Sequence, residues 1–182
     1  KLILPISCKP KIIAITSEGR IGLVKWEFAG QQPGHLSKFL PGGIEKEKVI
    51  SVLKLPENSD ASLGLLSSDG RFKRLAIKEI FDLSGRATSV LKLKKDVILT
   101  SAIICSPDSE ICIVSSYGRV LKMQASDSNI PIMGKLAQGY IAMKPFPKEE
   151  IIEAISIPKS KDSKLTVVSK YGTIKSINLD VI

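Results

Sequence analysis

The chain repeats one short phrase four times, and this repetition constrains its fold more than any other feature. The copies read "TSEGRIGLV" from residue 16, "SSDGRFKRL" from 67, "SSYGRVLKM" from 115 and "SKYGTIKSI" from 169. They align on Gly19, Gly70, Gly118 and Gly172, with an apolar residue four positions before and two positions after each glycine. Self-similarity in register at a period of about 50 residues predicts duplicated structural units.

Each phrase predicts a β-hairpin. An apolar run, a turn with Ser or Thr and Gly, and a second β-rich run are the hairpin signature. Glycine supplies the positive φ that a tight turn commonly requires. Apolar residues two and five positions after the glycine break strict alternation, which predicts a bulge in the outgoing strand.

A second set of aligned positions is formed by the apolar pairs that begin at Val49, Val97 and Ile151. Each first residue lies 21 positions before the next repeat glycine. We therefore predict that the length differences between units are confined to the segment between a glycine and the following apolar pair.

The units predict an all-β, propeller-like fold. Two further β-like runs per unit, such as "ATSVLKL" and "VILTSAI", bring each unit to four short strands, the size of a propeller blade. Helix signals are weak, and "AIKEIFDLS" at 76–84 is compatible with a turn or two. We predict a single domain over 1–182 of about four blades, either as a shared ring or as part of a larger disc. Its units are 12–61, 62–110, 111–163, and a fourth formed by 164–182 with 1–11, where "KLILPISC" is a closing strand.

The reactive residues argue against catalysis and metal binding. Cys8, Cys105 and Cys112 lie in apolar runs without C-x-x-C spacing, which predicts buried, reduced thiols. His35 is the only histidine, which argues against a zinc site and against catalysis that depends on histidine. No phosphate loop, paired-carboxylate motif or nucleophile elbow is present, so no cofactor and no catalysis by this segment alone are expected. No apolar run approaches the roughly 20 residues that span a bilayer, which predicts a cytoplasmic location and no membrane partner.

The excess of positive charge points to a polyanionic partner. Lys and Arg total 27 against 18 acidic residues, a net charge of +9. Arginine follows the first three repeat glycines, and equivalent positions of a propeller share one rim, which suits phosphate contacts along duplex DNA. Aromatic residues make up only 5 %, which argues against stacking on single strands. The predicted DNA-binding residues are Arg20, Lys25, Arg71, Lys73, Arg74, Arg86, Arg119, Lys122, Lys135, Lys170 and Lys175.

Other interpretations of these cations stay open. The arginine of the repeat can instead cap or pair with its own turn. A second group of cations, in the variable segments, can be ordinary solvated side chains: Lys38, Arg86, Lys92, Lys94, Lys135 and Lys144. The alternative function is a propeller-like scaffold whose rim binds protein, and an enzyme that uses a central funnel lacks supporting residues.

The phrase [ILV]-[ST]-S-x-G-R-[IFV], together with "GRATSVLKLKKDVI" and "GKLAQGYIAMKPFPKEEII", resembles the C-terminal domain of the A subunit of bacterial DNA gyrase and its topoisomerase IV counterpart. The resemblance covers essentially the whole chain from Ile12 onward. It implies a β-pinwheel, a propeller-like disc whose blades exchange strands and whose basic outer edge bends and wraps duplex DNA. The implied partners are the cleavage core and other A-subunit domains of an ATP-dependent type II topoisomerase, and its ATPase B subunit, at the nucleoid. The implied phosphate contacts are Arg20, Arg71, Arg86, Arg119, Lys122 and Lys135.

Two features depart from that family. The Q-R-R-G-G-K-G heptapeptide of gyrase is absent, and "LPGGIEK" at 40–46 is a poor substitute, so strong chiral wrapping and negative supercoiling are not implied. The family's discs usually have more blades, so a fragment, a diverged paralogue and a topoisomerase IV type all stay open. The strand-cleaving tyrosine belongs to another domain of the family and has no equivalent here.

Overall fold

Each of the four repeated phrases forms a β-hairpin in the computed structural model, which describes residues 10–57, 60–83, 85–157 and 164–182. The strands in these ranges are β1 (Ile12–Thr16), β2 (Arg20–Leu23), β3 (Val49–Lys54), β4 (Ser62–Ser67), β5 (Arg71–Ala76), β6 (Thr88–Ser89), β7 (Leu99–Cys105), β8 (Glu110–Ser115), β9 (Val120–Gln124), β10 (Tyr140–Ile141), β11 (Ile151–Ile157), β12 (Lys164–Val168) and β13 (Ile174–Asn178). The short 3₁₀ helices are Trp26–Phe28, Leu36–Phe39, Ile77–Glu79 and Leu179–Val181.

The repeat glycines form the turns as predicted. Their φ angles are 71° at Gly19, 79° at Gly70, 76° at Gly118 and 82° at Gly172. In every turn the glycine N–H donates to the carbonyl three residues earlier, over 2.9–3.1 Å. A positive φ disfavours residues with a side chain, so the glycine of each phrase is a backbone requirement.

Neighbouring units complete each other's sheets. The β1–β2 hairpin pairs with β3 on one side and with β6 on the other, in the order β3-β1-β2-β6. The β4–β5 hairpin has the same arrangement with β7 and β10. In the described part of the chain, β8–β9 pairs only with β11, and β12–β13 forms a sheet of two strands. The implied strand exchange is thus confirmed, and four strands per blade are reached in the first two sheets. Within the described ranges the sheets do not close into a ring.

The strands β3, β7 and β11, which we call the long strands, lie at the inner side of this arrangement. β7 packs against both β3 and β11. The two-residue strands β6 and β10 pair with the opposite edges of their sheets, next to β2 and β5. The chain segments that carry β6 and β10 are therefore on the outer side.

Three apolar clusters fill the spaces between consecutive sheets. Leu65 belongs to the first cluster and Leu66 to the second, so the β4–β5 sheet is buried on both faces. In the outgoing strand β5, Phe72 belongs to the second cluster and Leu75 to the first. Burial on both faces removes the need for polar–apolar alternation, which explains the apolar residues two and five positions after the glycine.

The bulge predicted in the outgoing strand is wrong in its location. β2, β5 and β9 pair with their hairpin partners without a register shift. The register shift occurs instead in the long strands. Ile50, Thr100 and Ile152 have no pairing partner, each at the equivalent position of its strand.

The same ladders correct the second set of aligned positions. Val49, Leu99 and Ile151 pair with the last residues of β1, β4 and β8, so Leu99 takes the place that the sequence assigned to Val97. The connection between β7 and β8 (106–109) is shorter than that between β3 and β4 (55–61). The prediction that length variation is confined to the segment after each hairpin is therefore wrong.

The remaining expectations have mixed outcomes. Cys105 and Cys112 are buried free thiols, as predicted, whereas Cys8 and the predicted closing strand "KLILPISC" lie outside the described residues. The helical turn predicted in 76–84 is present at Ile77–Glu79. None of the helices in the described ranges is long and apolar enough to cross a bilayer.

Two repeat glycines provide a matched pair for testing strand exchange. A Cβ added at Gly70 would lie 1.7 Å from the carbonyl oxygen of Met143, whereas a Cβ at Gly118 meets no described atom within 4 Å. Both have positive φ, so Gly118→Ala reports the conformational cost alone, about 1–2 kcal/mol. Gly70→Ala should destabilise by about 4 kcal/mol or more, because the segment that carries β10 cannot dock. Equal losses of unfolding free energy in denaturant titrations would contradict this close approach.

Candidate nucleic-acid interface

Three hairpin turns lie along one edge of the molecule, which we call the turn edge and define by residues 16–20, 67–71 and 115–119. Leu99 N donates to Ser17 O, and Ser68 N donates to Ile98 O, each over 2.8 Å. The first and second turns therefore flank the same end of β7. The start of β11 has the same position beside the third turn.

Three segments on the outer side, 24–48, 85–98 and 125–150, lead into the long strands β3, β7 and β11, and we call them the connecting segments. The second segment runs from the first turn to the second. Val90 N donates to Gly19 O (2.9 Å), and Lys92 and Lys94 line a small cleft with Asp69 and Arg71. This segment therefore bridges two neighbouring units at the turn edge.

The third connecting segment bridges the second and third turns in the same way. Ala142 N donates to Gly70 O (2.9 Å), and the Tyr117 hydroxyl donates to Pro147 O (3.1 Å). The outer side of the molecule is therefore a continuous chain of turns and connecting segments.

The arginine of the repeat fastens a connecting segment to its own turn. Arg119 Nε and Nη2 donate to Oε1 (2.7 Å) and Oε2 (2.5 Å) of Glu149, and Nη2 also donates to Lys144 O (2.9 Å). The Ser115 hydroxyl donates to the same carboxylate (2.5 Å), and the guanidinium lies 4.2 Å from the ring centroid of Phe146. A bidentate arginine–carboxylate pair of this kind fixes orientation as well as distance.

The first unit repeats this arrangement with equivalent residues. Arg20 bonds to Glu47 and to Gly43 O, and the Thr16 hydroxyl donates to Glu47 Oε2 (2.6 Å). Glu47 and Glu149 each stand two residues before a long strand. We call the set of hydroxyl, carboxylate and guanidinium the turn clamp.

The second unit builds its turn clamp from a different carboxylate. The position two residues before β7 holds Val97, which cannot pair with an arginine. Arg71 instead bonds to Asp69 of its own turn (3.2 Å), to which the Ser67 hydroxyl also donates (2.6 Å). Arg71 Nη1 reaches Gly139 O (3.0 Å) and so fastens the third connecting segment.

Two predicted DNA contacts are buried. Lys73 has no exposed surface, and its ammonium donates to Val90 O (2.7 Å), Lys135 O (2.7 Å) and Ala137 O (3.2 Å). Burial lowers the pKa of Lys73 to about 8. Arg74 is 6 % exposed and bonds to Ser62, Asp127 and Ile130. Neither side chain is available to a duplex at the surface.

The other predicted cations divide into engaged and exposed groups. Lys122 donates to Leu179 O and holds the last 3₁₀ helix. Lys135 is partly exposed. The exposed members of the predicted set are Lys25, Arg86, Lys170 and Lys175.

Sequence reasoning missed two parts of this edge. It gave neither Glu47 nor Glu149 a role, although both precede an apolar pair by two residues, which is a detectable signal. It also left out four lysines of the connecting segments that reach the surface, which are Lys46, Lys48, Lys95 and Lys148. All four ion pairs found among the described residues are made by arginines, so these lysines keep their charge for other partners.

The turn clamp predicts a particular dependence of stability on pH. The Glu149 side chain is fully buried, and the hydrogen bonds from Arg119 lower its pKa to about 2. A carboxylate whose pKa is lowered by folding stabilises above its unfolded pKa, near 4.5, and this contribution is lost as pH falls toward 2. We expect Glu149→Gln to be destabilised by a constant amount above about pH 5 and by a shrinking amount below it. Unfolding measured at several pH values tests this, with exposed Glu150→Gln as the control that should show no such convergence.

Comparisons with known proteins agree with this architecture. A family model described as "DNA gyrase C-terminal domain, beta-propeller" matches residues 65–106 and 109–159. The A subunit of DNA gyrase from Mycolicibacterium smegmatis (strain ATCC 700084 / mc(2)155) is 22 % identical over 178 residues, 93 % of this chain and 20 % of the relative. The A subunit of DNA topoisomerase 4 from Synechocystis sp. (strain ATCC 27184 / PCC 6803 / Kazusa) is 26 % identical over 133 residues, 68 % of this chain and 14 % of the relative.

Solved structures show the same fold. A DNA gyrase A C-terminal domain superposes with a TM-score of 0.79 at 20 % identity, over 96 % of this chain and 56 % of that chain. The C-terminal domain of DNA topoisomerase IV superposes with a TM-score of 0.75 at 19 % identity, over 94 % and 54 %. The chain thus spans about a fifth or less of the curated relatives and about half of the solved domains.

Proposed function

The chain belongs to the DNA gyrase C-terminal domain, beta-propeller family, and from this premise we propose that it binds duplex DNA through phosphate contacts. The bound duplex bends or wraps along the outer side and is presented to the cleavage core of an ATP-dependent type II topoisomerase. The partners are the remaining A-subunit domains and the ATPase B subunit, in the cytoplasm at the nucleoid. The relatives named above are subunits of DNA gyrase and DNA topoisomerase 4, which supports this assignment.

The observation that carries the proposal is the placement of cations along the connecting segments. These segments follow one another across consecutive turns on the outer side. They carry six exposed or partly exposed carboxylates, fewer than their cations: Glu27, Glu45, Glu47, Asp96, Asp127 and Glu150. Their exposed or partly exposed cations are Lys25, Lys38, Lys46, Lys48, Arg86, Lys92, Lys94, Lys95, Lys135, Lys144 and Lys148. Lys170 and Lys175 extend the proposed surface to the fourth hairpin.

Phosphate contacts of this kind supply affinity without sequence specificity. Each neutralised phosphate releases condensed counterions, so affinity falls steeply with salt. Bending a duplex of 20–30 base pairs by 40–90° costs of order 1–6 kcal/mol, which several contacts together can offset. A series of lysines on successive segments meets this requirement better than one isolated patch.

The repeat arginines have an indirect role in this proposal. The guanidiniums of Arg20, Arg71 and Arg119 each bond to a carboxylate and to a backbone carbonyl of a connecting segment. Their function is to hold the first and third connecting segments, with their lysines, in place. Lys73 and Arg74, which are buried, are left out of the proposed surface.

The proposal is tested by removing charge from one connecting segment. We expect Lys92→Gln/Lys94→Gln/Lys95→Gln to weaken binding to duplexes of any sequence and to lower the slope of log K against log salt by about 2 to 3. Electrophoretic or fluorescence titrations between about 50 and 200 mM salt measure that slope. The matched control is Lys54→Gln/Lys78→Gln/Lys164→Gln, which removes the same charge from exposed lysines remote from the turns.

Two outcomes would contradict the proposal. Equal losses in the two triple variants would show a response to net charge alone. An unchanged slope in both would favour a scaffold whose outer side binds protein.

A further inference from the structure

Lys73 joins two connecting segments through one buried ammonium group. Val90, whose carbonyl it binds, belongs to the second segment, and Lys135 and Ala137 belong to the third. An ammonium group has three N–H donors, so these three carbonyls satisfy all of them. Among the described residues Lys73 forms no ion pair with a carboxylate.

The equivalent position differs in the neighbouring hairpins. Three residues after the glycine, the first hairpin has Gly22, where an added Cβ would overlap Pro41 and Ile44 of its own connecting segment. The third hairpin has Leu121, which lines an open cavity of about 1080 Å³ beside β9. Lys73 is therefore the member of this set that bonds to two described segments at once.

Stability alone does not explain a lysine at this position. Burying a charge without a charged partner costs free energy, and an apolar side chain of similar size is often neutral or better. An apolar side chain could not bond to both segments, because it has no donors. The geometry thus indicates a role in holding the segments together.

We infer that Lys73 is a positioning residue, which fixes the spacing of the second and third connecting segments so that the cations of both reach one duplex. This inference rests on the proposed function. Val90 lies two residues before Lys92, and Lys135 gives its carbonyl to Lys73 while its own side chain reaches the surface. Loss of the bond therefore shifts charged groups on both segments without removing any of them.

The test changes Lys73, which is buried, and leaves every surface cation in place. The salt slope of duplex binding then reports how many phosphates the chain still contacts. Lys73→Met removes the donors and keeps a side chain of similar length. We expect it to lower the salt slope of duplex binding by about 2 to 3, as loss of one segment's cations would. Lys135→Gln/Lys144→Gln/Lys148→Gln should give the same decrease, and combining it with Lys73→Met should add little, because both changes remove the same contacts.

Two lysine variants separate positioning from general damage. Lys122→Met removes another lysine-to-carbonyl bond of an outgoing strand, which does not involve a connecting segment, and should leave the slope unchanged. Lys73→Arg keeps a positive donor and should recover at least part of the slope. Hydrogen exchange without DNA should show faster exchange in 88–91 and 134–142 for Lys73→Met, with the hairpin amides unchanged.

The outcomes are distinguishable. A folded Lys73→Met with the wild-type slope, or a combined variant with fully additive losses, overturns the positioning role. If the wild-type chain binds duplex without salt dependence, the proposed function fails and the inference with it, whatever the exchange data show about the segments. Should Lys73→Met not fold, Gly139→Ala releases the third segment by a separate route, since its Cβ would lie 2.7 Å from Phe72 O. A folded Gly139→Ala with an unchanged slope would overturn the inference equally.

Discussion

The arrangement of the turn edge depends on the carboxylate that binds the arginine after each turn glycine. In the first and third units, Glu47 and Glu149 come from the connecting segment, so one ion pair joins two parts of the chain that are far apart in sequence. A hydroxyl from the end of the incoming strand donates to the same carboxylate and limits its movement. Removing Arg119 would leave the buried carboxylate of Glu149 without its charged partner, which makes this clamp costly to break. The positions of the lysines on the first and third connecting segments follow from this anchoring.

Strand exchange makes each sheet dependent on the unit that follows it, and burial shows the consequence. The apolar residue four positions before the glycine is fully buried at Ile15 and Leu66, partly exposed at Val114, and 60 % exposed at Val168. The first two have a neighbouring sheet on the following side and a full set of four strands, whereas the fourth hairpin has only its own two strands in the described residues. Burial of these side chains is therefore a property of the array more than of the single hairpin.

The hairpins could be predicted from sequence because their determinants are local: a glycine with positive φ and apolar residues on both sides of it. The exchanged strand β6 could not be located as well, since Thr88–Ser89 pairs with a hairpin some seventy residues earlier and has no pattern of its own. The role of Arg119 could not be predicted from sequence either. Its partner Glu149 lies thirty residues away, in a segment whose sequence is typical of a solvent-exposed loop. Burial of Lys73 contradicted the expectation from its charge, because carbonyl acceptors cannot be identified from side-chain identities.

The two kinds of cation have different physical tasks in this chain. Four of the five arginines form the ion pairs found among the described residues, and the fifth, Arg86, is exposed. A planar guanidinium matches a carboxylate in a bidentate manner and suits a fixed joint. A lysine on a flexible stem is a point charge that can follow phosphates whose positions shift as a duplex bends. A phosphate that displaced these carboxylates from the arginines would open the clamps. The proposed division instead leaves the joints closed while the lysines adjust, so that binding and structural integrity do not compete for the same side chains.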